Sequence, residues 1–185
     1  IDKILFDLIP KTEKNVKKGN KIFGGIILNK KNYSTIVIGV NNEIKNPLFH
    51  GEISTINNFF KMKKYINPKD CIFISSHEPC SLCLSGITWS GFTNFIYLYP
   101  YEDTKSEFNI PHDLKILDQV FKVKNGKYNK SNHYWKSYSI IREISKLSKN
   151  KQNLLNEKIS IINQKYKDLS ILYQKNKKNN KIPLN

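Results

Sequence analysis

Arginine is almost missing from this chain: Arg142 stands alone among 31 Lys+Arg. Lysine supplies the rest, against 15 Asp+Glu, for a formal net charge of +16. A polyanion-binding surface is one reading of that excess. Arginine is the residue suited to bidentate phosphate and base contacts, so its scarcity favours the other reading, a Lys/Asn-rich composition spread over solvated positions. Cysteine is scarce too. Three cysteines make no disulfide framework, which points to a reducing, intracellular and cytoplasmic setting. No apolar run reaches the ~18 residues that span a bilayer, so no membrane partner is expected. The segment from Ile4 to Pro10 is too short and too acidic-flanked for a secretory signal, although a chain beginning at Ile1 leaves room for a leader upstream. No internal repeat is visible beyond a heptad pattern near the end.

What the chain does have is His50-Gly51-Glu52, answered about thirty residues later by Pro79-Cys80-Ser81-Leu82-Cys83. One imidazole and two thiolates are three zinc ligands, and a catalytic zinc needs three protein ligands and an open fourth position. Glu52, two residues beyond His50, is the nearby group that moves protons. Together they make the H-x-E…P-C-x-x-C pattern of zinc deaminases. A structural zinc knuckle is the rival, and it needs a fourth Cys or His. Cys71 lies inside a strand signal, where a small buried residue is expected. His77, three before Cys80, is the better rival ligand, but it leaves His50 and Glu52 without a purpose. His112 and His133 have no motif around them and read as surface or core histidines.

Periodicity places these residues on elements. Ile1 to Leu8 has helical spacing interrupted by Pro10, and a second helical piece runs to about Gly19. Ile22–Leu28 and Ser34–Val40 are β-branched runs joined by a polar turn, a β-hairpin. Gly24 and Gly25 inside the first strand suggest a bulge. Asn41 reads as a turn residue. Apolar residues from Gly51 to about Met62 fall at helical spacing, which puts His50 and Glu52 at a helix start. Cys71–Ser75 and Asn94–Tyr99 are strands. Pro79 suits the first turn of a second helix, where Cys80 and Cys83 share a face. Two helix N-termini then meet at the metal, and their partial positive charge favours thiolate. Tyr101–Asp113 is loop or broken helix, and Leu114–Val123 is a candidate fifth strand. Beyond it, Tyr134 to Leu147 shows a helical face. Leu155, Ile159, Ile162, Tyr166, Leu169 and Tyr173 form a heptad seam that needs a partner in the preceding helix, the core or another subunit.

On its two motifs the sequence resembles the cytidine deaminase-like superfamily over roughly residues 10 to 120. His50 to Thr55 (HGEIST) looks most like fungal cytosine deaminases. Glu78-Pro79-Cys80 with Ile87-Thr88-Trp89 looks more like bacterial guanine deaminases and tRNA adenosine deaminases. The resemblance implies an α/β fold: a three-layer α-β-α sandwich around a mixed five-stranded sheet, with C-terminal helices added. It also implies that Asn41 hydrogen-bonds substrate and that Gly24 and Gly25 let a ligand approach bare backbone. Phe49 and Trp89 are each either packing residues or walls for a flat base. Asp103 is either the acidic pocket residue of related guanine deaminases or a solvated loop carboxylate. Trp135 and nearby tyrosines are candidates to close the pocket.

The expectation is therefore zinc-dependent hydrolytic deamination of a nucleobase or nucleoside, with Zn2+ on His50, Cys80 and Cys83, hydroxide as nucleophile and Glu52 as proton shuttle. A tRNA or single-stranded nucleic-acid deaminase is the alternative, and an idle deaminase fold serving as an RNA-binding or scaffold subunit is a second. Residues 1–125 form the expected deaminase domain, 126–173 a helical extension packed on the core or a partner subunit, and 174–185 a disordered basic tail. A homodimer is expected.

Overall fold

A computed structural model describes all residues 1–185. A π-helical turn (Lys3–Leu8) runs into α1 (Ile9–Val16), with Pro10 in the first turn of α1. Proline there lacks only an N–H that the new helix does not need, so it redirects the helix and does not end it. Gly19, at φ +96°, then turns the chain. β1 (Gly24–Asn29) and β2 (Thr35–Val40) form the expected hairpin, followed by α2 (Gly51–Phe60), β3 (Cys71–His77), α3 (Ser81–Trp89) and β4 (Asn94–Tyr99).

The sheet order is β2-β1-β3-β4 and then β5 (Lys136–Ser139). β1 is antiparallel to both neighbours, while β3, β4 and β5 run parallel. The mixed five-stranded sheet of an α/β fold is thus present. Its fifth strand is not Leu114–Val123, however. That segment lies in α5 (His112–Gln119) and the turn after it, following α4 (Tyr101–Ser106). The edge strand comes instead from Lys136–Ser139, where Tyr134 onward had helical spacing, and only Ile140–Ile144 is helical (α6). A four-residue edge strand offers too few alternations to compete with an overlapping helical pattern.

Two cores flank the sheet. On one face Ile26, Leu28 and Ile74 meet Leu8, Val16, Ile162, Tyr166 and Tyr173. On the other, Ile27, Phe73 and Phe95 meet Phe59, Ile87 and Phe92. The heptad seam belongs to α7 (Lys149–Asn176) and finds its partner within this chain, since Ile162, Tyr166, Leu169 and Tyr173 are buried in the first core and Ile159 is buried as well. The expected boundary near residue 125 therefore cuts through one sheet and one core. Nor is the 174–185 segment a free tail: Ile182 is buried, Asn180 Nδ2 donates to Gly19 O at 2.8 Å, and Tyr173 OH donates to Asn185 Oδ1 at 2.7 Å. No helix is long and apolar enough to cross a membrane.

Candidate metal centre and active site

Glycine sets the depth of this site. A Cβ on Gly39 would lie 2.2 Å from the Thr55 backbone nitrogen, and one on Gly51 would lie 2.5 Å from the Gly24 Cα. A Cβ on Gly25 would meet Thr55 Oγ1 at 2.8 Å. So α2 rests directly on the backbone of β1 and β2, closer than any side chain permits. Gly24 and Gly25 are accordingly not the bulge. The hairpin irregularity falls at Ile27/Leu28, and the glycines serve helix–sheet packing.

That packing drives the start of α2 into the protein. His50 is its N-cap and Glu52 lies in its first turn; Cys80 is the N-cap of α3 and Cys83 lies one turn in. The ligand atoms converge. His50 Nδ1 is 3.4 Å from Cys80 Sγ and 3.8 Å from Cys83 Sγ, and the two sulfurs are 3.5 Å apart. A tetrahedral zinc with Zn–S near 2.3 Å and Zn–N near 2.0 Å places such atoms about 3.5–3.8 Å apart. The three donors fit the ion as they stand. The Cys80 thiol is held well below its usual range by hydrogen bonds with Cys83 and His50, against the cost of burial. His77, the rival ligand, is not in this cluster.

Glu52 is 4% exposed. Its Oε1 accepts from Ser75 Oγ at 2.7 Å, and its Oε2 lies 3.2 Å from Cys83 Sγ. Burial raises its carboxyl above the ordinary range, a direction suited to a group that must take up and release a proton. Behind His50 stands Glu43, a residue that no motif singles out. Its Oε1 accepts from Lys21 Nζ at 2.8 Å and lies 3.6 Å from His50 Nε2. Its Oε2 accepts from Asn41 Nδ2 at 2.6 Å. A carboxylate behind a ligating imidazole orients the ring. Because a carboxylate only accepts, it also fixes the Asn41 amide, leaving the buried Asn41 Oδ1 without a partner.

A cavity of about 330 Å³ opens from His50 and Cys80. Lys21, Phe23, Glu43, Ile110, Asp113, Ile116, Ile182 and Pro183 line it, and the exposed Leu48 and Leu184 stand at its mouth. Three expected wall residues lie elsewhere. Trp89 is 91% exposed at the end of α3. Phe49 lines a separate groove with Asn15, Val40 and Lys61. Asp103 rides on α4 into a surface cleft beside Tyr99, Glu107 and Lys167. The carboxylate that does reach the cavity is Asp113, at the start of α5, which makes no hydrogen bond or ion pair within the protein and is raised by burial. Trp135 does not close the pocket either; it packs on Phe95 and donates Nε1–H to Thr88 Oγ1 at 2.8 Å. His112, read as a bystander, lines the mouth.

Fold and site together define a zinc protein of the cytidine deaminase-like class. Residues 2–99 match the cytidine and deoxycytidylate deaminase zinc-binding region, and the chain belongs to that family. Zinc is its cofactor, and His50, Cys80 and Cys83 are positioned to hold it. Among solved structures, a guanine deaminase from Nitrosomonas europaea is similar, with 14% identity, 81% of this chain and 79% of that one covered, and a TM-score of 0.53. A guanine deaminase from Bacillus subtilis is 22% identical over 72% of this chain and 98% of its own, TM-score 0.49. A structure from studies of A-to-I editing by tRNA:A34 deaminases is 14% identical over 71% and 92%, TM-score 0.47. At such identities the likeness is one of fold. No curated protein matches the chain.

Proposed function

We propose that this protein hydrolytically deaminates a free nucleobase or nucleoside, converting a ring C–NH2 to C=O with uptake of water and release of ammonia. The observation that carries this reading is the buried Glu52 carboxylate beside a three-donor metal cradle that opens on a cavity of about 330 Å³. When bound there, zinc acidifies a water and so makes hydroxide available at neutral pH. Every other part of the task falls to side chains. Ser75 holds Glu52 Oε1, which keeps the carboxylate pointed at the cradle. Glu52 takes the proton of the attacking water, passes it to the ring nitrogen and then delivers a proton to the departing amine. Asp113, which lines the cavity, accepts an N–H of the base; Asn41 is not among the lining residues, and its amide holds Glu43.

A small substrate suits the mouth better than a nucleic acid does. Its lining is apolar, and its one ammonium, Lys21, is taken by Glu43. A phosphate meets no free ammonium there, and Ile182, Pro183 and Leu184 help line the cavity. The test is ammonia release by zinc-loaded protein from a panel of free bases, nucleosides and nucleotides, with tRNA and single-stranded DNA alongside. Turnover of a base or nucleoside at ordinary enzymatic rates is the expected result. Activity confined to RNA or DNA transfers the reading to a nucleic-acid deaminase.

A further inference from the structure

Glu78 and Pro79 join the end of β3 to Cys80, and a cluster that no motif marks holds them there. Glu78 is buried, 2% exposed. Its Oε1 accepts from Lys130 Nζ at 2.7 Å and from Tyr128 OH at 2.8 Å, and its Oε2 accepts from the Tyr101 N–H at 3.3 Å. Lys130 Nζ also donates to Tyr97 OH at 2.9 Å, and it lies 5.3 Å from the Tyr97 ring centre and 5.4 Å from that of Tyr128. Tyr101 OH donates to Pro79 O, and the Glu78 N–H donates to Tyr99 O at 2.7 Å. Gly126, at φ +63°, brings its turn onto the Tyr101 ring: a Cβ there would lie 2.6 Å from Tyr101 Cδ2. Tyr101, Tyr128 and Lys130 all lie beyond the matched zinc-binding region, residues 2–99.

Burying a carboxylate costs so much desolvation that such a pair adds little stability over an apolar contact; what it adds is a fixed orientation. That orientation matters two residues further on. Cys80 Sγ must stand 3.4 Å from His50 Nδ1 and 3.5 Å from Cys83 Sγ. Cys83 lies inside α3 and is placed by the helix itself. Cys80 is only the N-cap, with extended backbone at φ −65° and ψ 173°, so the incoming link through Glu78 and Pro79 sets where its sulfur points. Both residues of that link are held by side chains from the far end of the sheet: Tyr101 on Pro79, and Lys130 with Tyr128 on Glu78.

We propose that Lys130 and Tyr128, acting through Glu78, position Cys80 for zinc, so that the segment around residues 126–130 is a working part of the metal centre. They are positioning residues and touch neither the metal nor a substrate. The inference concerns zinc alone and stands whether or not the protein turns over a base. Groups that hold metal ligands in place are commonly worth about 10- to 100-fold in metal affinity.

The test measures zinc affinity by chelator competition on the full chain, and it is expected to fall about tenfold or more in Lys130→Met. The thiolate-to-metal charge-transfer band of the cobalt-loaded protein weakens with it, because Cys80 Sγ leaves its place. Lys130→Arg, which keeps the cation, restores most of both. Tyr128→Phe keeps the packed ring and loses one hydrogen bond, so it folds and shifts both readouts less, in the same direction. Leu169→Ala is the control: it opens the α7 core, lowers the unfolding midpoint and leaves both metal readouts at wild-type values. Wild-type affinity with an unchanged cobalt band in Lys130→Met, or equal losses in Leu169→Ala, overturns the inference and leaves the cluster a support of the fold. If Lys130→Met does not fold, Tyr128→Phe decides on the same two readouts: a loss supports the inference and wild-type values overturn it.

Discussion

The metal cradle and the cavity mouth are built on opposite plans. The cradle comes from two short stretches, residues 50–52 and 80–83, each at the start of a helix set on the sheet by glycines and strand ends. Its atoms sit within hydrogen-bonding distance of one another before any ligand arrives. The rest of the cavity is assembled from residues 47, 48, 110, 112, 116 and 182–184, far apart in the chain and mostly apolar. Chemistry that demands fixed geometry is placed on element starts, where spacing in sequence becomes spacing in space. Contacts that need only shape are gathered from wherever the chain returns.

Altering the cradle should affect turnover, and altering the mouth should affect affinity. Glu52→Gln should lower kcat by about 10²–10⁴ and keep one zinc per chain by metal analysis; lost zinc would make Glu52 a ligand. Gly39→Ala should cost at least ~1–3 kcal/mol in denaturant unfolding, because its Cβ meets backbone that cannot step aside.

A buried histidine outside the cradle, His77, adds a pH dependence. His77 titrates below its ordinary value in the native state, so the unfolded chain binds its proton first as pH falls. Stability is therefore full above about pH 6.5 and declines below it, by up to ~1.4 kcal/mol per pH unit. Unfolding curves of His77→Leu should lack that component, and an unchanged pH profile would locate it in another group. At the mouth, Leu184→Ala should raise KM by about two- to tenfold with kcat unchanged. A fall in kcat there would mean that the mouth also positions the reacting atoms. Smallest of all, Trp89→Ser should leave both constants unchanged and stability within about 0.5 kcal/mol.

The same contrast explains what the sequence disclosed. His50, Glu52, Cys80 and Cys83 were legible because metal chemistry ties residue type to short spacing, and four of the five strands were legible because their β-branched runs are long. Asp113 was not, since an acidic residue at a helix start resembles any other, and Asp103 looked as suitable in a loop of uncertain course. Glu43 and Phe23 act through partners brought in by the hairpin, and no pattern along the chain reports such a pairing. His77 stood out only as a rival ligand, set aside because it left His50 and Glu52 without a purpose, and its ring packs against Phe23, Phe108 and Tyr166. Trp89 drew attention by its chemistry alone, and the α3 helix ends by leaving it in solvent.

The segment Ile182-Pro183-Leu184 at the mouth has a consequence for biosynthesis. At about 5–20 residues per second, the ribosome releases His50, Cys80 and Cys83 several seconds before it releases Ile182. The three donors, and β1 to β4 with them, thus leave the ribosome before the apolar residues Ile182 to Leu184 that help line the cavity.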